Sequence, residues 1–198
     1  SLLWEPNEYI NIMVYPFTDS QILGISTFPY SLKDFFLEGT QQVSASWITL
    51  ENLSFPYCIS INSSYIYEQS TDGRINQNDA AITLAHELGH YLGLRHVFSE
   101  GGTTSMCTEY EQWLNNLDKQ NKYQLKDLAK RYSCEKGEYE AHNIMDYAYC
   151  FYNEITLEQR KRIRHILNYS PLIPGPKESR IDTRGVQGRL NLPICIMK

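Results

Sequence analysis

Short runs of alternating apolar and polar residues predict β-strands in the first third of the chain. Residues 9–17 alternate imperfectly, are rich in β-forming residues and stop at Pro16. Residues 22–28 form a second such run, which Pro29 ends. Residues 58–61 and 65–67 predict a further strand or a broken pair of strands, whereas residues 43–50 fit no single pattern. The strand-forming part of the chain therefore comes first.

The apolar period becomes helical from Asp79 onward. Apolar residues recur there at helical spacing as far as Leu92, and Asn78 or Asp79 is the predicted N-cap. Residues 109–132 carry apolar residues among charges and predict one or two short helices.

A last helix is predicted from its capping signals. Thr156 is the N-cap, Gln159 occupies the capping-box position, and the helix runs to about Asn168 before Pro171. The tail beyond it, residues 171–198, reads as irregular. Strands followed by helices predict an α+β domain.

Composition and charge argue against two classes of protein. The 198 residues carry a net charge of −5 and are 42% hydrophobic, which is typical of one globular domain. An acidic balance of this kind lacks the basic surface expected of a nucleic-acid-binding protein. No run approaches the ~18–20 apolar residues of a membrane span, so none is predicted.

One motif carries most of the chemical information. Residues 86–96 read HExxHxxGxxH without a mismatch. On a helix, His86 and His90 lie on one face and can bind the same ion, while Glu87 points to one side of it. Gly93 can adopt a positive φ that ends the helix and turns the chain, which brings His96 to the same ion.

Three histidines in this spacing predict a catalytic zinc site. Three protein ligands leave one coordination position open, which distinguishes catalytic from structural zinc. The amino-acid frequencies of this chain give about 10⁻⁵ expected chance matches to the pattern. A helix whose histidines bind nothing is therefore a poor explanation.

A second element follows the motif at a fixed distance. Asn-Ile-Met-Asp-Tyr, residues 143–147, is centred on Met145, 49 residues after His96. In this combination the chain resembles the metzincin zinc peptidases, whose long histidine motif is followed by a tight turn with a Met beneath the metal. The resemblance implies that Met145 is the floor of the zinc site. It implies that Tyr147 stabilises the oxyanion, although a packed Tyr is the alternative.

Further residues narrow the resemblance to the pappalysin-like family. They are His-Val-Phe from His96, a Cys soon after, the Cys that follows the Met turn, Thr-Leu-Glu-Gln-Arg from Thr156, and residues 23–29. Together they cover most of residues 9–168. The chain is also similar to the zinc-dependent metalloproteinase lipoproteins of Bacteroides-type bacteria.

The resemblance implies a zincin catalytic domain. Its parts would be a twisted mixed sheet, an active-site helix, a Met-turn and a C-terminal helix. The whole chain, 1–198, would be this single domain. An N-terminal sheet subdomain would cover about 1–93, and a subdomain with the third ligand and the Met-turn about 94–170.

The chain also departs from the family pattern. Relatives carry an Asp-Thr-Pro segment between the third ligand and the Met turn, and this chain lacks it. Calcium sites of relatives draw on that segment, which weakens the case for Ca²⁺ here. Only Ala148 and Tyr149 stand where basic-specific relatives have acidic residues, so a preference for Arg or Lys is not carried over.

Five cysteines bear on the cellular location: Cys58, Cys107, Cys134, Cys150 and Cys195. A Cys107–Cys134 disulfide would close a loop and stabilise the folded state by about 3 kcal/mol. Cys134–Cys150 is the alternative pairing. Exported peptidases commonly contain such bonds. We therefore expect an extracytoplasmic protein that is secreted, periplasmic or lipid-anchored. The start at Ser1 suggests a processed or trimmed chain.

The predicted reaction is hydrolysis of a peptide bond in a peptide or protein substrate. Zinc would activate water and polarise the scissile carbonyl, with Glu87 as general base and then general acid. The strand around residues 58–64 is expected to be the edge strand to which an extended substrate adds. The alternatives are a zinc-dependent amidase with a non-protein substrate and a catalytically silent peptide-binding module. Intact Glu87 argues against the silent module.

Other polar residues are given structural interpretations. His142 is predicted to be a hydrogen-bonded loop histidine. Residues 160–164 form a basic run that is expected to be a solvated helix face. Arg95, between two ligand positions, is expected to point outward.

Overall fold

A computed structural model describes the molecule over residues 3–49, 52, 57–71, 73, 76–97, 130–133, 137–146 and 151–175. Its strands are β1 (Ile12–Tyr15), β2 (Gly24–Ser26), β3 (Tyr30–Leu32), β4 (Gln41–Val43), β5 (Ile59–Asn62), β6 (Lys130–Ser133) and β7 (Gly137–Glu140). Its α-helices are α1 (Ala80–Tyr91) and α2 (Leu157–Tyr169). The α+β prediction is confirmed.

The main sheet has the order β1-β5-β2, with β1 parallel and β2 antiparallel to β5. All four residues of β5 are buried, as expected of a central strand. The prediction that the strand around residues 58–64 is the substrate-binding edge was therefore wrong. Within the described residues β1 and β2 are both edge strands, and of the two it is β2 that packs beside α1.

The predicted strands at 9–17, 22–28 and 58–61 are confirmed as β1, β2 and β5. The extension of the last one to 65–67 was wrong, because the chain turns into a 3-10 helix at Ser63–Tyr65. Asn62 caps that turn, since its side chain accepts a hydrogen bond from the Ser64 amide at 3.1 Å. The ambiguous stretch at 43–50 begins at the end of β4 and continues into a 3-10 helix.

Both helices begin where the sequence predicts. Asp79 is the N-cap of α1, although its carboxylate accepts from the Ser70 amide rather than from the helix. The capping box of α2 is complete: Thr156 Oγ1 accepts from the Gln159 amide at 3.1 Å, and Gln159 Oε1 accepts from the Thr156 amide at 2.7 Å.

The main core lies between the sheet and the two helices. Ile59 and Ile61 of β5, Tyr91 of α1 and Ile166 of α2 are buried together in it. Leu172 and Ile173 also belong to this core, so the tail after α2 begins with buried residues.

The predicted helical excursion at 109–132 lies outside the described residues except at its end. There Lys130–Ser133 is strand β6, paired antiparallel with β7, so the helical prediction was wrong at this point. Among the residues that the structure describes, no helix is both long and apolar enough to cross a bilayer.

Candidate metal centre and active site

The three motif histidines converge on one point at the end of α1. The Nε2 atom of His96 lies 3.1 Å from Nε2 of His86 and 3.1 Å from Nε2 of His90. His86 is nearly buried, and His90 and His96 are partly exposed. The structure thus brings together the three residues that the sequence predicts as ligands.

Backbone carbonyls fix two of these rings from behind. His86 Nδ1 lies 2.6 Å from the carbonyl oxygen of Ile144, and His90 Nδ1 lies 2.8 Å from that of Leu94. A carbonyl accepts only, so each Nδ1 carries the proton. Each Nε2 therefore presents its lone pair to the shared point, which is the tautomer that a metal ligand needs.

This donor set fits zinc. Zn–N distances near 2.05 Å in a tetrahedral site separate neighbouring nitrogens by about 3.3 Å. The observed separations of 3.1 Å are close to that value. Lone pairs this close repel one another without a shared cation, and imidazole nitrogens suit zinc among the common ions. The three histidines therefore fit three of the four positions of a catalytic zinc centre.

Glu87 lies beside the histidines and faces the edge strand. It lines a cavity of about 430 Å³ together with His86 and Gly24 of β2. A Cβ on Gly24 would lie 2.6 Å from Glu87 Cγ, so glycine is required for the strand to approach the helix this closely. Among the described residues, the carboxyl group of Glu87 has no hydrogen-bond partner, so its oxygens are available to a ligand in the cavity.

Burial sets the protonation of this cluster. Desolvation lowers the pKa of His86 to about 4 and, together with His90, lowers that of His96. Desolvation raises the pKa of Glu87 to about 7. The metal-free site thus keeps His86 neutral at physiological pH and holds a carboxyl group whose pKa is near neutrality, which suits proton transfer.

The Met turn supports the site from below. Met145 is fully buried, and a Cβ on Gly89 of α1 would lie 3.2 Å from Met145 Cε and closer still to Sδ. The Val97 amide donates to the Met145 carbonyl at 3.2 Å, next to the third ligand. The Ile144 carbonyl contacts His86, and the Met145 carbonyl accepts from Val97 beside His96. The turn therefore contacts the chain at the first and the last histidine of the cluster.

A pair of amides holds the Met turn in place. Asn143 Nδ2 donates to Gln159 Oε1 at 2.7 Å, and Gln159 Nε2 donates to Asn143 Oδ1 at 3.0 Å. Asn143 Oδ1 also accepts from the Met145 amide at 3.0 Å. Gln159, which completes the capping box of α2, therefore also anchors the Met turn. Sequence reasoning missed this second role.

Gly93 makes the turn that the motif predicts. Its φ is 85°, and a Cβ there would lie 2.8 Å from Ile166 Cγ1 of α2. Arg162 Nε donates to the Gly93 carbonyl, and Arg162 Nη2 donates to the Glu38 carbonyl at 2.7 Å. The interpretation of residues 160–164 as a solvated basic face was therefore wrong for Arg162.

The residues around the Met turn are also anchored. Asp146 is buried and pairs with Arg131 of β6 at 2.9 Å. Tyr147, the predicted oxyanion residue, lies outside the described residues. His142 Nδ1 lies 3.2 Å from the carbonyl oxygen of Phe151, so the prediction of a hydrogen-bonded loop histidine is confirmed.

The predicted disulfides also fall outside the described residues, as do Cys107, Cys134, Cys150 and Cys195. Cys58 is a buried free thiol next to β5.

Comparison with known sequences decides the family. Residues 39–168, more than half of the chain, match the peptidase family described as pregnancy-associated plasma protein-A. The chain belongs to this family. The pappalysin-like metzincin resemblance is thus confirmed, and the matched region of this family member contains the histidine motif and the Met turn.

Similar proteins include fungal enzymes. The chain is 31% identical over 157 residues to an extracellular metalloprotease of Arthroderma otae, covering 78% of this chain and 49% of that protein. It is 38% identical over 94 residues to an extracellular metalloprotease of Arthroderma benhamiae, covering 46% of this chain and 33% of that protein. The chain thus spans half or less of the length of these relatives.

Among solved structures, the chain is similar to mature mirolysin of Tannerella forsythia in complex with a cleaved peptide. The TM-score is 0.46 at 21% identity, over 82% of this chain and 53% of the other.

Proposed function

We propose that this family member is the catalytic domain of a zinc-dependent endopeptidase with His86, His90 and His96 as metal ligands. The observation that carries the proposal is the convergence of three Nε2 atoms, that of His96 lying 3.1 Å from each of the other two, beside the cavity that Glu87 lines. A zinc ion bound there supplies a Lewis acid that polarises the scissile carbonyl and acidifies water.

The residues around this point have separate roles in the proposal. Glu87 takes a proton from the attacking water and returns it to the leaving amine, because its carboxyl faces the cavity and has a pKa of about 7. Met145 supports the helix that carries the ligands. Tyr147 donates a hydrogen bond to the developing oxyanion, so Tyr147→Phe is expected to lower kcat with little change in KM.

Strand β2 is the proposed binding edge for an extended substrate. Of the two edge strands of the described sheet it is the one beside α1, and Gly24 brings its backbone against Glu87. A peptide that adds to this edge through main-chain hydrogen bonds places a carbonyl beside the ligand cluster. Substrates are therefore expected to be peptides or unfolded segments of proteins.

The proposal extends to location and domain organisation. The relatives are named extracellular metalloproteases, which supports an extracytoplasmic, secreted or surface-anchored protein. The turn at Gly93 supports a division between a sheet subdomain, about 1–93, and a subdomain with His96 and the Met turn, about 94–170.

The test is metal analysis together with cleavage of an unbiased peptide library. We expect one zinc per chain, removable by chelators, and cleavage that Glu87→Gln abolishes while zinc is retained. Zinc with no peptide cleavage, but with hydrolysis of non-peptide amides, would favour the amidase. Zinc without any hydrolysis would indicate a binding module, and absence of zinc after reconstitution would refute the proposal.

A further inference from the structure

A second cavity lies beside the ligand cluster, on the side away from Glu87. Its volume is about 300 Å³, and Phe28, Gly39, His90, Arg95 and His96 line it. Two of the five lining residues are proposed ligands, so a group bound in this cavity would lie within a residue or two of the reacting bond. Arg95 is its only charged lining residue among those that the structure describes.

Arg95 does not point outward as the sequence suggested. A Cβ on Gly39 would lie 2.9 Å from Arg95 Nη1 and 3.2 Å from Arg95 Cδ, so the arginine lies across the backbone of Gly39. Gly39 has a φ of 79°, which favours glycine, and the missing side chain leaves room for the guanidinium. The arginine is thus held at the cavity wall rather than extended into water.

The guanidinium of Arg95 has no anionic partner in the part of the chain that the structure describes. Within the described ranges, Arg95 makes no hydrogen bond and no ion pair. Arg162, which also lies close to Gly39, instead donates to the carbonyls of Gly93 and Glu38. A half-buried cation with five free donors in a cavity favours a carboxylate, which it can bind through two parallel hydrogen bonds.

The position of the cavity along β2 decides which part of a substrate reaches it. Gly24, at the start of β2, lies at the Glu87 cavity, and Phe28, two residues past the end of β2, lies at the Arg95 cavity, a step of about 13 Å along an extended chain. A peptide that adds to β2 can span both cavities. Antiparallel pairing is the more stable arrangement and is the one that β2 already makes with β5, and it places the Arg95 cavity on the N-terminal side of the scissile bond.

We infer that Arg95 is a specificity residue that selects Asp or Glu within the first three substrate positions on the N-terminal side of the scissile bond. This inference rests on the proposed peptidase function. It gives the enzyme an acidic preference on one side of the cleaved bond, independently of whichever side chain the Glu87 cavity accepts.

The first test measures cleavage of a peptide library by the zinc-loaded enzyme and two variants. Wild type is expected to cleave Glu-containing peptides about tenfold more efficiently in kcat/KM than their Gln counterparts. Arg95→Gln should remove this ratio, and Arg95→Glu should invert it toward Lys and Arg. Arg164→Gln, which removes an equal charge from an exposed position of α2, should leave the ratio unchanged.

The second test measures binding without turnover. Zinc-loaded Glu87→Gln is titrated with a labelled Glu peptide and its Gln counterpart, and anisotropy gives the two Kd values. We expect about tenfold tighter binding of the Glu peptide, and equal binding once Arg95→Gln is added.

The two tests separate the failure of this inference from that of the peptidase. Cleavage without an acidic preference, a preference on the C-terminal side, or one that survives Arg95→Gln would overturn the role of Arg95 alone. An Arg95-dependent binding preference without any cleavage by wild type would support Arg95 and refute the peptidase. Equal binding of both peptides to Glu87→Gln would overturn the role of Arg95.

Discussion

Substitution of Gly89 by Ala should disturb the metal site through Met145. A Cβ at position 89 would lie 3.2 Å from Met145 Cε and closer to Sδ, and Met145 is fully buried, so the thioether must move. Overpacking of this kind costs about 1–3 kcal/mol. Ala gains about 1 kcal/mol over Gly in a helix. The net loss of folding stability is therefore small, about 0–2 kcal/mol.

The larger effect of Gly89→Ala should fall on zinc. Movement of Met145 displaces the adjoining carbonyl of Ile144, which holds His86 Nδ1 at 2.6 Å. Loss of a hydrogen-bond partner behind a metal-binding histidine typically lowers metal affinity about 10–100-fold. The assay is competition with a chromophoric chelator, accompanied by urea unfolding of the metal-free protein.

Two further variants make this prediction sharp. Gly73→Ala is the matched control, because among the described residues nothing beyond its chain neighbours lies within 4 Å of its new Cβ, and it should bind zinc like wild type. Met145→Ala in the Gly89→Ala background should recover part of the lost affinity, since the overlap is removed. The reasoning is refuted if Gly89→Ala binds zinc as tightly as wild type and unfolds at higher urea.

Three further predictions concern the supports of the site. Asn143→Ala should lower zinc affinity at least tenfold in chelator competition, because the turn loses the amide pair with Gln159; unchanged affinity would contradict the anchor. Gly93→Ala should lower the free energy of unfolding in urea by about 2–4 kcal/mol, from its φ of 85° and its contact with α2. In the metal-free protein, unfolding between pH 4.5 and 6.5 takes up a proton at His86 and releases one at Glu87, so their contributions to the pH dependence of stability offset. Glu87→Gln removes the proton release, so the free energy of unfolding of this variant should rise with pH more steeply than that of wild type, by about 1.4 kcal/mol per pH unit. Parallel pH profiles of the two proteins would contradict the raised pKa of Glu87.

Local signals in the sequence were sufficient for the elements that carry the chemistry. The helix under the histidine motif, the glycine turn at Gly93 and the capping box at Thr156 each depend on residues within one or two turns of one another. Such short-range constraints appear directly in the spacing of residue types. The convergence of the three histidines followed from that spacing alone.

Features that depend on contacts between distant parts of the chain could not be predicted from local patterns. The order of strands places β5 in the centre because it pairs with β1 and β2, and no local pattern encodes that order. The residues of β5 alternate as Ile-Ser-Ile-Asn, which is the pattern of a strand with one buried face, so this pattern carried no sign that all four are buried. The amide pair of Asn143 and Gln159 joins residues 16 positions apart, and the position of Arg95 depends on Gly39 across the fold. Parallel β3 and β4, with three residues each, were too short to show a period.

The hydrogen bond between Val97 and Met145 has a consequence for how this enzyme family diversifies. The chain leaves the metal site at one of these residues and returns at the other, so residues 98–144 start and finish at adjacent points. Doubling the length of a flexible loop adds only about 0.6 kcal/mol to the entropic cost of closing it. Insertions between residues 97 and 130 therefore add little to the cost of closing this loop, whereas Asn143 and Ile144 near its end must be kept because they contact Gln159 and His86. We expect evolution and protein engineers alike to place new sequence in the first part of this segment rather than in its last residues.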